Sequence, residues 1–152
     1  MHVHIPRQPG LPPSDMEKTL RNFFNANDNN ETIDNIANMY RKLDMMALLL
    51  SIDSETTTGE IPDSNDYISS VVKKHPDVFI AFASIDPWKG KQAVEELERS
   101  VIDLGLKGLK LHPVQQAFYP NDEKIYPLYQ KCSDLSVPVP VSYTNLTLPT
   151  KA

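Results

Sequence analysis

The strongest constraint on the fold is a regular alternation of short apolar segments with amphipathic helical segments. The segments that we interpret as strands lie at residues 1–5, 45–52, 78–84, 106–112 and 137–141. The segments with helical periodicity lie at residues 16–24, 31–43, 66–75, 92–104 and 121–135. Apolar runs without a polar face are typical of parallel strands that are covered on both faces. The pattern therefore predicts an α/β fold whose parallel strands are joined by right-handed crossovers.

The chain length limits how much of such a fold can be present. A complete (β/α)8 barrel needs about 250 residues, and the chain has 152. The alternation alone is compatible with an open doubly wound sheet and with part of a barrel. No Gly-rich phosphate loop follows any predicted strand and no Gly-x-Ser-x-Gly elbow is present. Nucleotide binding of the Rossmann or P-loop kind and serine-hydrolase chemistry are therefore not expected.

Single residues predict where several elements begin and end. Asn65 has the position of an N-cap for helix 66–75. Gly105 follows helix 92–104 and is expected to adopt the left-handed conformation that ends a helix. Pro127 is compatible with the last predicted helix only if its first turn is separate or kinked.

Charge and cysteine content exclude several classes of partner and site. The 15 Lys and Arg residues against 20 Asp and Glu give a net charge of −5, which argues against nucleic acid or an anionic membrane as partner. The longest apolar run, residues 45–50, is far shorter than the roughly 20 residues of a membrane span. No apolar segment typical of a secretory signal opens the chain, so we expect a cytoplasmic protein. The single cysteine, Cys132, excludes an internal disulfide and is predicted to pack on a helix.

The carboxyl ends of the predicted strands narrow the search for a functional site, because parallel sheets place their active sites there. The polar residues at these ends are His2, His4, Asp53, Asp86, Lys110 and His112. His2 and His4 are two residues apart on one strand, so both imidazoles share a face. Neutral imidazole binds Zn, Fe, Ni or Cu, and two such ligands make half of a tetrahedral site. The alternative is that the two histidines occur there by chance or are the remnant of an affinity tag.

The fourth predicted strand repeats this alternation. Gly108, Lys110 and His112 lie on one face, and Leu109 and Leu111 lie on the other. We expect the leucines to pack under helices and the polar face to point into the sheet interior or a barrel lumen. Buried lysine and histidine side chains need polar company, which favours a role in a site. The alternative is a lysine that reaches solvent and a histidine held by a backbone carbonyl.

The two aspartates have a simpler interpretation. Asp53 and Asp86 are each the last residue of a Ser-Ile-Asp sequence at the end of a predicted strand. They could orient a metal-bound imidazole, but aspartate after a strand more often caps its own loop through an Asx-turn. We favour the capping interpretation. Trp88, two residues after Asp86, either lines a pocket or covers the rim of the sheet.

Three segments together resemble a known family. They are His-Val-His at residues 2–4, the helix–strand unit at 33–53, and Gly-Leu-Lys-Gly-Leu-Lys-Leu-His-Pro at 105–113. With Tyr-Pro-Leu-Tyr at 126–129 before a Val-Pro-Val strand, they resemble the metal-dependent amidohydrolases of the type-2 subgroup. That subgroup also contains nonoxidative decarboxylases such as the aminocarboxymuconate semialdehyde and resorcylate enzymes. The resemblance extends from residue 2 to about residue 139.

The resemblance implies a (β/α)8 barrel that holds one divalent metal, most often Zn²⁺. The family's ligands are two histidines of the first strand, a histidine ending the fifth and an aspartate ending the eighth, and a histidine ending the sixth assists. Only the first pair maps onto this chain, at His2 and His4. Lys110 and His112 match a family segment near the site, where a substrate-binding or polarising role is implied, and not an established ligand position.

The resemblance also implies a division of the chain. Residues 1–139 correspond to the N-terminal half of the barrel, about four β/α units and the start of the fifth strand. Met1 stands where the family has an aspartate, and Ser142 stands where the family has the third histidine. Residues 140–152 resemble translated adapter read-through, and we expect them to be a non-native tail.

The function implied for the parent protein is that of a metal-dependent hydrolase, in which metal-activated water attacks an amide, ester or lactone-type carbonyl. The alternatives are a metal-dependent nonoxidative decarboxylase of an aromatic or unsaturated acid, and a non-catalytic α/β binding module. We expect a small-molecule substrate and no nucleic-acid or membrane partner. The sequence leaves open whether the parent protein forms a homo-oligomer. The 152-residue chain by itself is expected to be inactive.

Overall fold

The computed structural model describes residues 2–13, 15–24 and 32–142. The strands are β1 (His2–His4), β2 (Ala47–Leu50), β3 (Phe79–Ala81), β4 (Ala83–Ser84) and β5 (Leu109–Lys110). The helices are α1 (Asp15–Phe24), α2 (Ile33–Lys42), α3 (Glu55–Thr58), α4 (Asn65–Lys74), α5 (Lys91–Ile102) and α6 (Tyr126–Asp134). The predicted alternation of strands and helices is confirmed through α6, and α3 is an additional turn of helix in a segment without helical periodicity. The predicted strand at residues 137–141 is not formed as a strand, and Val141 makes an isolated bridge there. None of the helices in these ranges is long and apolar enough to span a membrane.

The strands pair in the order in which they follow along the chain. Strand β1 pairs with β2 in parallel, with His4 opposite Leu50, and β2 pairs with β3. Strands β3 and β4 are consecutive parts of one extended stretch, and β4 pairs in parallel with β5. Beyond β5, Leu111 forms a parallel bridge with Val141. A doubly wound sheet reverses its strand order at a switch point, and the described strands show no such reversal.

The two faces of the sheet differ in what covers them. The face under the helices is apolar and buried, with Ala47, Leu49, Phe79, Ala81, Ala83, Leu109 and Leu111. The helices pack onto it with Ile36, Ala37, Tyr40, Ile68, Val71, Leu97, Leu128 and Cys132. The predicted packing of Cys132 is confirmed, and burial raises the pKa of its thiol to about 11. By the alternation of side chains along a strand, Ile80, Phe82, Ser84 and Lys110 lie on the opposite face, which we call the inner face.

Two of the three predicted element ends are confirmed. Gly105 has a φ of 78°, and a separate 3-10 turn at Glu123–Ile125 precedes α6, so Pro127 lies in the first turn of that helix. The N-cap prediction is wrong, because Ser64 caps α4 by accepting a hydrogen bond from the backbone N–H of Tyr67. Serine and asparagine cap helices about equally well, so local preference does not distinguish the two neighbours.

Asn65 has a long-range role instead. Its Oδ1 accepts a hydrogen bond from the backbone N of Ser84 at 2.8 Å, and its Nδ2 donates to the carbonyl O of Ser84 at 3.1 Å. Both groups of Ser84 therefore bond to one buried amide side chain. This pair of bonds ties the start of α4 to the carboxyl end of β4.

Gly108 lies where two neighbours leave no room for a side chain. A Cβ on Gly108 would lie 2.7 Å from the carbonyl O of Pro138 and 2.9 Å from Cδ2 of Phe82. We expect Gly108→Ala to lower the free energy of unfolding by about 1–3 kcal/mol, because the backbone oxygen cannot move without strain. Urea denaturation followed by circular dichroism measures the change. In the double variant with Phe82→Leu we expect part of the loss to be recovered, and purely additive losses would contradict the steric explanation.

Candidate functional site

Five of the six predicted site residues lie along one edge of the sheet, at or just after the carboxyl ends of its strands. His4 ends β1, Asp53 follows β2, Asp86 follows β4, and Lys110 and His112 lie at the end of β5. These residues therefore lie at the edge where parallel sheets place their active sites, and their role in a site stays a prediction. His2 pairs with Leu48 through the backbone of β1, and its side chain lies outside the described part of the structure.

His4 is the candidate metal ligand whose side chain is described. It is exposed at the end of β1 and lies opposite Leu50 in the register. An exposed imidazole at this edge is a suitable donor for a divalent transition metal. Within residues 2–13, 15–24 and 32–142, no three His, Cys, Asp or Glu side chains lie close enough to hold a metal ion. Of the two histidines predicted as ligands, His4 is the one whose side chain the structure places at this edge.

Asp53 and Asp86 cap their own loops, as predicted. Oδ1 of Asp53 accepts a hydrogen bond from the backbone N of Glu55 at 3.1 Å. Oδ1 of Asp86 accepts one from the backbone N of Trp88 at 2.9 Å. Both are Asx-turns, in which a side chain bonds the backbone two residues further on.

The second oxygen of each aspartate joins neighbouring loops. Oδ2 of Asp53 accepts from Nζ of Lys89 at 2.8 Å and from the backbone N of Asp86 at 3.2 Å. Oδ2 of Asp86 accepts from the backbone N of Thr56 at 2.7 Å. The two carboxylates are thus engaged in holding the loops together, and these bonds provide no imidazole partner for either of them.

Gln116 connects three of the loops and was missed by the sequence analysis. Its fully buried side chain donates from Nε2 to the carbonyl oxygens of Asp53 at 2.7 Å and Ile85 at 2.9 Å. Its Oε1 accepts from the backbone N of His112 at 2.8 Å. The loops after β2, β4 and β5 are therefore joined through one amide. The local sequence signal is weak, because Gln116 is simply a polar residue shortly after a strand end.

Trp88 covers the rim of the sheet next to this amide. Its Nε1 donates to the carbonyl O of Gln116 at 2.6 Å, and Nζ of Lys124 lies 5.8 Å from its ring centroid. The indole is half-buried. Of the two predicted roles, these contacts support a cover on the rim.

The hydrogen bonds of His112 determine its tautomer. The backbone N of Gln115 donates to Nδ1 at 3.2 Å, so the neutral ring carries its proton on Nε2. Burial, together with the positive charge of Lys110, lowers the pKa of His112 below its usual range. At neutral pH, His112 is therefore an uncharged imidazole with an Nε2–H donor.

Lys110 is buried and does not reach solvent, so the alternative of a snorkelling lysine is wrong. The residue is 3% exposed, and its Nζ donates to Oγ of Ser142 at 2.5 Å. Burial lowers the pKa of Lys110. Position 142 is where the resemblance places a third histidine, so this ammonium lies at the position of an expected ligand.

Comparisons with known proteins agree with the resemblance. A protein-family model with the description Amidohydrolase matches residues 1–151. The 2-amino-3-carboxymuconate-6-semialdehyde decarboxylase of Dictyostelium discoideum is 28% identical over 75 residues, which is 49% of this chain and 21% of that protein.

Two solved structures show the same fold at low sequence identity. The crystal structure of an amidohydrolase II protein has a TM-score of 0.67 at 17% identity. The match covers 99% of this chain and 52% of the chain in that structure. A dihydroxybenzoic acid decarboxylase from Polaromonas sp. JS666, with bound manganese and the inhibitor 2-nitroresorcinol, has a TM-score of 0.58 at 21% identity. That match covers 96% of this chain and 48% of the decarboxylase. The chain therefore spans about half the length of these structures.

Proposed function

Since this chain belongs to the amidohydrolase family, we propose that it supplies the first half of a metal-dependent (β/α)8 barrel enzyme. Residues 1–139 would form about four β/α units and the start of the fifth strand. The unreversed order of the parallel strands supports this extent, as does a length close to half that of the solved relatives. Residues 143–152, most of the expected tail, lie outside the described residues.

We propose that His2 and His4 are two ligands of a divalent metal, with Zn²⁺ as the first choice and Mn²⁺ as the second. The observation that carries the proposal is the exposed imidazole of His4 at the carboxyl end of β1, beside the other strand ends. The manganese in the Polaromonas decarboxylase supports a divalent cation. When bound, such a cation lowers the pKa of a water ligand and polarises a carbonyl group.

The remaining site residues act on the substrate in this proposal. His112 offers an Nε2–H donor that stays uncharged at neutral pH, and Gln116 holds the backbone of His112 in place. Lys110 supplies a positive charge in a buried environment, where electrostatic attraction is stronger than in water. These groups orient and polarise a small molecule that carries a carbonyl or carboxylate group.

Two reaction classes fit this arrangement. The first is hydrolysis of an amide, ester or lactone-type carbonyl, and the second is nonoxidative decarboxylation of an aromatic or unsaturated acid. Both the Dictyostelium relative and the Polaromonas structure are decarboxylases, which supports the second class as strongly as the family supports the first. Assays of amide, ester and aromatic-acid turnover by the whole protein distinguish them.

Calorimetric titration of the 152-residue chain with Zn²⁺ and Mn²⁺ tests the metal site. We expect His4→Ala to weaken binding by at least about tenfold, because even the outer partners of metal ligands contribute 10–100-fold. Affinity should also fall as the solution is made acidic, since histidine must be neutral to bind metal.

The matched control for this experiment is His75→Gln. His75 lies at the end of α4, before β3, where its Nε2 bonds to Oδ1 of Asp34 at 2.7 Å, away from the carboxyl ends of the strands. We expect its metal affinity to equal that of the unchanged chain, with folding verified by circular dichroism. Equal affinities for His4→Ala and the unchanged chain would refute the proposed ligand.

We further propose that the 152-residue chain alone does not turn over substrate, because only the pair His2 and His4 of the implied ligand set maps onto its sequence. Metal-dependent turnover by the purified chain that His4→Ala abolishes would overturn this part of the proposal.

A further inference from the structure

The buried ammonium of Lys110 has no carboxylate partner in the part of the chain that the structure describes. Its hydrogen bond goes to the neutral hydroxyl of Ser142. The nearby carboxylates are engaged elsewhere, since Asp53 bonds to Lys89 and Asp86 bonds to loop backbone. A buried charge without a counter-ion is costly, so an anion that binds beside Lys110 would be stabilised.

Ser84 provides a second buried polar group, on the strand next to that of Lys110. It is the Cα partner of Lys110 in the parallel register of β4 and β5, so the two residues are neighbours on the inner face. Ser84 is 3% exposed, and its Oγ has no hydrogen-bond partner among the described residues. More than nine-tenths of buried polar groups in native proteins are bonded, so this hydroxyl also points to a ligand.

We propose that Lys110 and Ser84 form a subsite for a carboxylate group of an organic ligand. The assignment of that carboxylate to the substrate rests on the proposed function, and it makes the substrate an anionic acid. A single ammonium beside a hydroxyl matches the single charge and two oxygens of a carboxylate. Phosphate sites in α/β folds add a Gly-rich loop of backbone N–H groups, and no such loop follows a strand in this sequence.

His112 is compatible with an anion at this position. Its ring presents Nε2–H as a donor and contributes no negative charge. The carboxylates of Asp53 and Asp86 are already engaged in hydrogen bonds within the loops. The inner face at the end of β4 and β5 therefore attracts anions and does not repel them.

Titration of the 15N-labelled, metal-free chain with sodium acetate at constant ionic strength tests the subsite, because acetate is a small organic carboxylate. We expect saturable shifts of the backbone amides of Ser84 and Lys110. Lys110→Met should weaken acetate binding about tenfold or more, because hydrogen bonds to charged groups are the strong ones. Ser84→Ala, which removes only the hydroxyl group, should weaken it about threefold.

Three comparisons make the result decisive. Lys107→Met removes an exposed lysine three residues away on the same segment, and we expect it to change the affinity less than twofold. Acetamide, which has the shape of acetate without its charge, should not bind. The proposal is overturned if acetamide binds as well as acetate or if Lys110→Met binds acetate normally. Tighter binding of inorganic phosphate than of acetate would overturn the assignment to a carboxylate.

The metal-free conditions keep this test separate from the test of the metal ligand. Loss of metal binding in His4→Ala together with normal acetate binding supports both proposals. Metal binding that depends on His4, without any acetate binding, refutes the subsite and leaves the proposed function intact. Acetate binding without metal binding refutes the proposed ligand and keeps the subsite.

Discussion

Replacement of Gln116 by methionine is expected to lower the free energy of unfolding by about 3–5 kcal/mol, although the side chain keeps nearly the same volume. The change removes the partners of three buried backbone groups, namely the N–H of His112 and the carbonyls of Asp53 and Ile85. Each unsatisfied buried group costs about 1–3 kcal/mol, and the added apolar contacts of methionine offset part of the sum. Urea denaturation of the 152-residue chain, followed by circular dichroism, measures the loss.

The control for this prediction is Gln130→Met. Gln130 is exposed on α6 and makes one hydrogen bond, to Asp134 of the same helix. We expect a change within about 0.5 kcal/mol, which is usual for surface positions. If the two variants unfold at the same urea concentration, Gln116 does not hold the loops together in the way its hydrogen bonds indicate.

The second large effect is expected for Phe79→Ala, at about 3–5 kcal/mol of unfolding free energy. Phe79 is 0% exposed on the helix-covered face of β3, and its ring makes an edge contact with the ring of His75 at 5.8 Å between centroids. Truncation leaves a cavity that the packed helices fill only in part. Chemical denaturation measures the loss. If the m-value is unchanged, the loss comes from the folded state and not from a change in the denatured state.

The neighbouring residue Ile80 offers a matched control on the opposite face of the same strand. Ile80 is 38% exposed, so Ile80→Ala removes fewer buried contacts and should cost less than about 1.5 kcal/mol. A cost equal to that of Phe79→Ala would mean that the inner face is packed as tightly as the face under the helices. The comparison therefore measures the difference between the two faces directly.

Several features of the fold follow from patterns within a few residues. The two faces of β5, the left-handed Gly105 and the buried Cys132 were all predicted and are confirmed. The Asx-turns of Asp53 and Asp86 were also predicted, because the bond partner lies two residues away. Such features depend on side-chain alternation and local backbone geometry, which the sequence encodes without reference to the rest of the chain.

The features that failed or were missed depend on distant partners. Asn65 has the preferences of an N-cap, but it bonds to the backbone of Ser84, 19 residues away, while Ser64 takes the cap. Gln116 bonds to Asp53, 63 residues earlier, and to Ile85, 31 residues earlier. No local periodicity distinguishes such an amide from an exposed one, so its role emerges only when the loops meet.

The sequence by itself determined the type of most elements, the two faces of β5 and the family that the motifs resemble, because hydrophobic period and short motifs are local properties. The tertiary structure alone decided the strand order, and that order shows no reversal among the described strands. It also decided that Lys110 is buried beside Ser84 with no carboxylate partner among the described residues. Strand neighbours and counter-ions come from segments far apart in the chain, and only the packed sheet brings them within the few ångströms over which hydrogen bonds and ion pairs form.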